Sequence, residues 1–169
     1  NIADADIYYT RDASSPDLSN GIEYTGPIPV STTTIIRAFA IKEGTGESPT
    51  VTQSYIFPED VVNQSEDQPG YPAAWLSPIH YTDDYFEIPS NYSMKSDFLS
   101  NPEVGEVIIE SLKSLPVVSI VSNIDNFFSK STHPDSGGIY MYNGEPNGPT
   151  RLLQYHLGRG WERPASVEY

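Results

Sequence analysis

TTTIIRAFAIK, residues 32–42, is the stretch on which the fold turns. It is rich in β-branched and aromatic residues, and Ile36, Ala38 and Ala40 alternate with Ile35, Arg37, Phe39 and Ile41. That two-residue period is the mark of a strand with one covered face. The small residues predict a core face, and the Arg37 side predicts a partly wet one. Working outward, ADIYYT (5–10), IEYTG (22–26) and TVTQSYIF (50–57) read as strands too. RDASSPDLSNG, PIPVS and EGTGESP between them carry turn chemistry. Such a set is about half of a seven-stranded sandwich. An open half would expose its interior, so further strands are expected before Asn1.

The rest of the composition agrees with a β- and loop-rich chain. Among 169 residues, 15 prolines and 12 glycines argue against a helical bundle, while 37% apolar residues suffice for a core. The formal charge of −14, from 23 acids against 9 bases, repels phosphate backbones and anionic lipid, so neither nucleic acid nor a membrane surface is an expected partner. No cysteine is present, which removes disulfides, thiolate metal sites and cysteine nucleophiles. No apolar run is long enough to span a bilayer, and no membrane insertion is expected within this segment.

Residues 58–99 change character. This stretch has no sustained period, contains Pro69, Pro72, Pro78 and Pro89, and is expected to be an irregular connector. Tyr71, Trp75, Tyr81, Tyr85, Phe86 and Tyr92 make it too aromatic for a free linker and predict packing onto a neighbouring domain. Beyond it, PEVGEVIIESLKSL (102–115) predicts a helix: Asn101 caps it, Pro102 suits its first turn and Lys113 its last. Val104, Val107, Ile108, Leu112 and Leu115 are its expected apolar face. VVSIVS (117–122) reads as a buried strand, IDNFF (124–128) as a short turn with two aromatic anchors, GIYMY (138–142) as a strand and WERPASVEY (161–169) as a last strand. No turn or partner strand follows that last one, and both termini look cut from a longer polypeptide.

Two resemblances bear on these readings. IYYTRDASSPD (7–17), with YTGPIPVSTTTIIRAFAIKEG and SPTVTQSYIF, resembles the C-terminal Ig-like domain of chitobiase and β-hexosaminidase proteins, whose usual pattern is Y-Y-T-x-D-G-S-x-P. Ala13 stands where that pattern has Gly, which would tolerate a positive φ that Ala tolerates poorly. From Tyr92 onward, YSM, NPEVGEVIIESLKSLPVVSIVSNIDNFF, GGIY and GRGWERPASVEY resemble the leading segment of the CotH kinase family. The insertion NGEPNGPTRLLQYHLGR (143–159) is longer than that resemblance leads one to expect. The resemblance implies an exported bacterial multi-domain surface protein. Its kinase-like domain would use ATP and a divalent metal to phosphorylate Ser or Thr hydroxyls. The residues for that chemistry lie beyond the leading segment in the family, so no catalytic, cofactor or metal residue is assigned to this chain.

The candidate sites are modest. Gly144, Gly148, Gly158 and Gly160 lack the spacing of a phosphate-cradling loop and read as a hairpin loop. Glu162 and Arg163 read as fixing a strand edge, with Trp161 packing and Pro164 blocking further pairing. His80, His133 and His156 are far apart in sequence, and Glu66, Asp67, Asp83, Asp84, Asp125 and Asp135 lack calcium-loop spacing. Asn63-Gln64-Ser65 and Asn91-Tyr92-Ser93 match the glycosylation tripeptide, accidentally so in a bacterial chain. Tyr71 and Trp75 could form a platform on which sugar rings stack, although core or inter-domain packing is the commoner use of such rings.

The resulting expectation is a mixed β and α+β chain. Residues 1–57 form a partial Ig-like β-sandwich, 58–99 a connector, and 100–169 the first helix and strands of a CotH-kinase-like domain. Its expected role is non-catalytic: to space and orient that domain at the cell surface, with the remainder of the same polypeptide as principal partner and glycans or surface proteins as further ones. The alternatives are a carbohydrate-binding or adhesion module and a small enzyme of unrecognised type.

Overall fold

In the computed structural model, the described residues are 4–78, 85–94, 101–129, 131, 136–139 and 162–169. The chain is β-rich with a few short helices and divides into two compact units whose segments interleave in sequence. Unit 1 takes Asn1–Asn63, Lys95–Val121 and Ala165–Tyr169; unit 2 takes Gln64–Met94 and Ser122–Pro164.

Unit 1 is built on the four predicted strands, β1 (Asp6–Thr10), β2 (Ile22–Glu23), β3 (Thr34–Lys42) and β5 (Val51–Tyr55), and on a fifth, β4 (Gly46–Glu47), within the EGTGESP stretch that reads as a turn. All pairings among them are antiparallel: β1 lies between β2 and β3, while β4 and β5 both pair with β3 on its other side. This arrangement is consistent with part of a β-sandwich. β3 is central because its β-branched run is long enough to hold three partners, and its register decides the two faces of the sheet. Tyr9 opposes Ile22 and Ala38, and Ala38 opposes Val51, which aligns one apolar row across four strands. Tyr8 opposes Phe39 on the reverse face, where their rings stack at 5.9 Å.

That reverse face corrects the expectation from the alternation. Phe39, on the Arg37 side, is buried at 4% exposure, whereas Ala38 and Ala40 are only half-buried. The reason is tertiary. The Phe39 side also carries Thr52 and Ser54, whose hydroxyls bond Ser166 and Ser119 at 2.8 and 2.6 Å. Those serines belong to β8 (Ser119–Val121) and β9 (Ser166–Glu168), an antiparallel pair in register Ile120–Val167. The terminal strand thus has a partner, which sequence inspection did not find. Val121 is the residue of VVSIVS that is buried; Val117, Val118 and Ile120 are exposed, so that stretch is not the buried strand its composition predicts.

The helices complete unit 1. α1 (Pro58–Val62) starts at Phe57, whose amide donates to Thr33 Oγ1, and the Thr33 amide donates to Asp60 Oδ2, which ties the helix to the start of β3. α2 (Pro102–Ser114) follows its predicted bounds: Asn101 Oδ1 accepts from the Glu103 amide at 3.1 Å. Lys113 Nζ meets Glu59 of α1 at 3.1 Å. Val104, Ile108 and Leu112, one turn apart in succession, are half-buried, but Val107 and Leu115 are exposed, so the apolar stripe is narrower than predicted.

Unit 2 contains a hairpin where an irregular connector was expected. β6 (Ala74–Pro78) pairs antiparallel with β7 (Tyr85–Pro89), and Pro78 and Pro89 sit at strand ends. Proline is compatible with a sheet there because its missing N–H costs no interior ladder bond. α3 (Ile124–Phe128) forms over the predicted aromatic turn. Of GIYMY, Gly138 and Ile139 are described, in a loop in which Gly138 N donates to Ser129 O at 2.9 Å. A Cβ at Gly138 would collide with the Phe127 carbonyl, so only glycine fits that approach. No helix among the described residues is long and apolar enough to cross a membrane.

Candidate functional site

Unit 2 gathers four rings in one cluster: Tyr71, Tyr92, Phe127 and Phe128. Gly70, at φ 82°, closes a turn in which the Tyr71 amide donates to Gln68 O at 3.0 Å. The following carbonyl, of Pro72, accepts both Tyr92 Oη at 2.8 Å and Ser90 Oγ at 2.5 Å. Tyr92 is fixed again along its backbone: its amide donates to Glu66 O, and its carbonyl accepts Gln64 Nε2 at 2.6 Å. The Tyr71 ring meets Tyr92 edge-on at 5.2 Å and Phe128 at 5.6 Å, and Phe127 lies 6.0 Å from Phe128. Edge-to-face and tilted contacts of this kind are the favoured aromatic geometries and contribute about 0.5–1.5 kcal/mol beyond area burial. Tyr71 nevertheless stays 47% exposed, so a supported ring is offered to solvent.

α3 is held in this cluster by polar contacts. Asn126 Nδ2 donates to Ser122 Oγ at 2.6 Å, and Ser122 Oγ donates to Pro164 O at 2.6 Å. Arg163 donates to Gly137 O at 2.6 Å and to Glu162 O at 3.0 Å, so its guanidinium braces loop carbonyls. Trp75 lies in β6 opposite Ile88, and its side chain falls outside the described residues. The structure therefore places Tyr71 in an aromatic cluster with Tyr92, Phe127 and Phe128, partners to which sequence spacing did not point.

Other sequence candidates are dispersed. Glu66 and Asp67 are exposed; Glu66 uses its carbonyl on Tyr92 and a carboxylate oxygen 3.5 Å from Asn91 Nδ2. His80, His133, His156, Asp83, Asp84, Asp135, Trp161 and the glycines at 144, 148, 158 and 160 lie outside the described residues. Among the described residues no group of His, Cys, Asp and Glu is arranged to hold a metal ion.

Unit 1 has an open cleft of about 480 Å³ that sequence reasoning missed, lined by Asp6, Tyr8, Leu18, Ile41, Lys42 and Glu43 among others. Asp6, Tyr8 and Ile41 come to one wall because the β1–β3 register sets Asp6 opposite Ile41. Beside it the 11–21 loop is rich in local bonds. Asp12 Oδ1 accepts Ser14 Oγ at 2.6 Å and Ser14 N at 3.0 Å, and Asp17 Oδ1 accepts Ser19 Oγ at 2.5 Å and Ser19 N at 2.6 Å. These serine bonds hold both carboxyls below the ordinary aspartate range. Desolvation lowers the Arg37 pKa, and Arg37 donates to Ala13 O at 3.1 Å.

Comparison with known proteins bears on unit 1. No curated protein and no solved structure matches the chain. Residues 1–55, about a third of the chain, match the family model described as Fn3 associated. The match overlaps the five-stranded sheet and points to an Fn3- or Ig-like associated domain there.

Proposed function

We propose that the chain is a non-catalytic accessory module of an exported, multi-domain surface protein, in which it spaces and orients a CotH-type kinase-like domain. One observation carries the reading. The sheet within the Fn3-associated match presents the row Ile22–Tyr9–Ala38–Val51, with Ile22 and Val51 exposed at 51% and 69%. An apolar sheet face of this kind suits coverage by a second layer, as a chitobiase-type sandwich would supply. The CotH part is supported by the sequence resemblance over residues 92–169. On this reading ATP and a divalent metal serve the parent protein, the chain's main partner is the rest of its own polypeptide, and the setting is the bacterial cell surface. The test is incubation of the chain with labelled ATP, magnesium or manganese, and a Ser-rich acceptor protein. No transfer above buffer is expected. Saturable transfer would replace this reading with the small-enzyme alternative.

A second reading, a carbohydrate-binding module, is favoured by the half-exposed Tyr71, whose ring rests against Tyr92 and Phe128. Polysaccharide titration followed by Trp75 and Trp161 fluorescence tests it. A saturable change abolished by Tyr71→Ala supports sugar stacking, and a flat titration removes it.

A further inference from the structure

Asn20–Gly21 is the dipeptide most prone to deamidation, because glycine leaves its backbone nitrogen unhindered for attack on the asparagine carboxamide. The fold requires both residues. A Cβ at Gly21 would lie 2.6 Å from Asp17 O and 2.9 Å from Tyr8 Cβ, so the chain passes β1 too closely for any side chain. Asn20 spends both ends of its carboxamide on the loop: Oδ1 accepts the Asp17 amide at 2.7 Å, and Nδ2 donates to Ser15 O at 3.0 Å.

These same contacts oppose the reaction. Cyclisation needs Gly21 N to lose its proton and reach Asn20 Cγ, but that N–H donates to Asp17 O at 2.8 Å. The carboxamide cannot rotate toward Gly21 without breaking its two bonds. The Asn20 amide is tied as well, donating to Asp17 Oδ1 at 3.1 Å.

We propose that Asn20 is a latent deamidation site which the folded 15–21 loop keeps silent and which reacts in chains whose loop has opened. In the reaction Gly21 N bonds to Asn20 Cγ, and the Nδ2 group departs as ammonia with the proton from the glycine amide. Water then opens the resulting succinimide at either carbonyl, leaving an aspartate or an isoaspartate at position 20. Either product prevents re-closure. Aspartate loses the donor to Ser15 O and sets a second negative charge beside Asp17, whose ionised form the loop already favours. Isoaspartate adds a methylene to the backbone and displaces Gly21 from its seat against Tyr8. The modification thus turns a transient opening into a permanent one.

The experiment incubates the full chain at mildly alkaline pH in buffer and in guanidinium chloride, and maps peptides for the mass gain of about 1 Da and for isoaspartate. In denaturant Asn20 is expected to react at the rate of Asn143 and Asn147, which also precede glycine. In buffer Asn20 is expected to be at least about tenfold slower than in denaturant, since reaction then waits on local opening. Protection below that factor overturns the proposal. Asp17→Ala, which removes the acceptor of the Ser19 and Asn20 amides, is expected to raise the native rate several-fold. An unchanged rate in a variant of native circular dichroism shows that these bonds are not the guard, and it overturns the proposal equally.

Discussion

Replacing Ala13 by glycine should stabilise unit 1. Ala13 adopts φ 64°, the left-handed region in which its Cβ crowds the following carbonyl. The residue is held there by its surroundings. Its amide donates to Ile35 O at 3.4 Å and its carbonyl accepts Arg37 at 3.1 Å. On one side Thr10 Oγ1 donates to Ser14 O at 2.7 Å, and on the other Asp12 gathers Ser14. None of these bonds involves the Ala13 side chain, so Ala13→Gly keeps them all. Relief of left-handed strain is worth about 1–2 kcal/mol. The extra freedom of glycine in the unfolded chain returns about 0.4–1 kcal/mol. The net gain is therefore about 0.5–1 kcal/mol, or a rise of roughly 0.5 M in the urea midpoint at unchanged slope. Far-UV circular dichroism measures the transition, and hydrogen exchange at the Tyr9 and Arg37 amides localises it to unit 1. Ala13→Val is the opposing control and should destabilise, because a β-branched residue at positive φ is a steric outlier. A lower midpoint for the glycine variant, or the same effect from both variants, would refute the strain argument.

Removing the Phe39 ring, which is buried against Tyr8, should cost about 3–5 kcal/mol and abolish cooperative melting of unit 1 in Phe39→Ala. Asn101→Ala should lower stability by about 1 kcal/mol through loss of the α2 cap, visible as faster exchange at the Glu103 amide. Acid should loosen the 11–21 loop. The folded pKa values of Asp12 and Asp17 are depressed, so their contribution is complete above the usual aspartate range, near about 3.9, and is lost as pH falls through the lower folded values. A pH titration of Ser14 and Ser19 amide shifts checks this, with Asp12→Asn and Asp17→Asn expected to remove the corresponding steps.

Features that depend on neighbours along the chain were legible in the amino-acid sequence. Asn101 and Pro102 announce α2, and Lys113 its last turn, because capping and dipole effects act within a few residues. The strands of residues 5–57 follow from β-branched runs divided by Asp, Gly, Pro and Ser, whose turn-forming bonds are equally local. What the sequence left open was decided by contacts distant along the chain. Alternation in β3 showed that two faces exist, but which one is buried was left to tertiary contacts: Tyr8 stacks on Phe39, and on the same face Ser119 and Ser166 bond Ser54 and Thr52. β8 and β9 pair although more than forty residues separate them, and each is too short to signal a partner. Pro78 and Pro89 obscured the β6–β7 hairpin because proline reads locally as a break, whereas at a strand end it is tolerated. The Tyr71 cluster is of the same kind. Its rings meet because the Pro72 carbonyl and α3 bring them together, and no spacing rule encodes a contact made across fifty-seven positions.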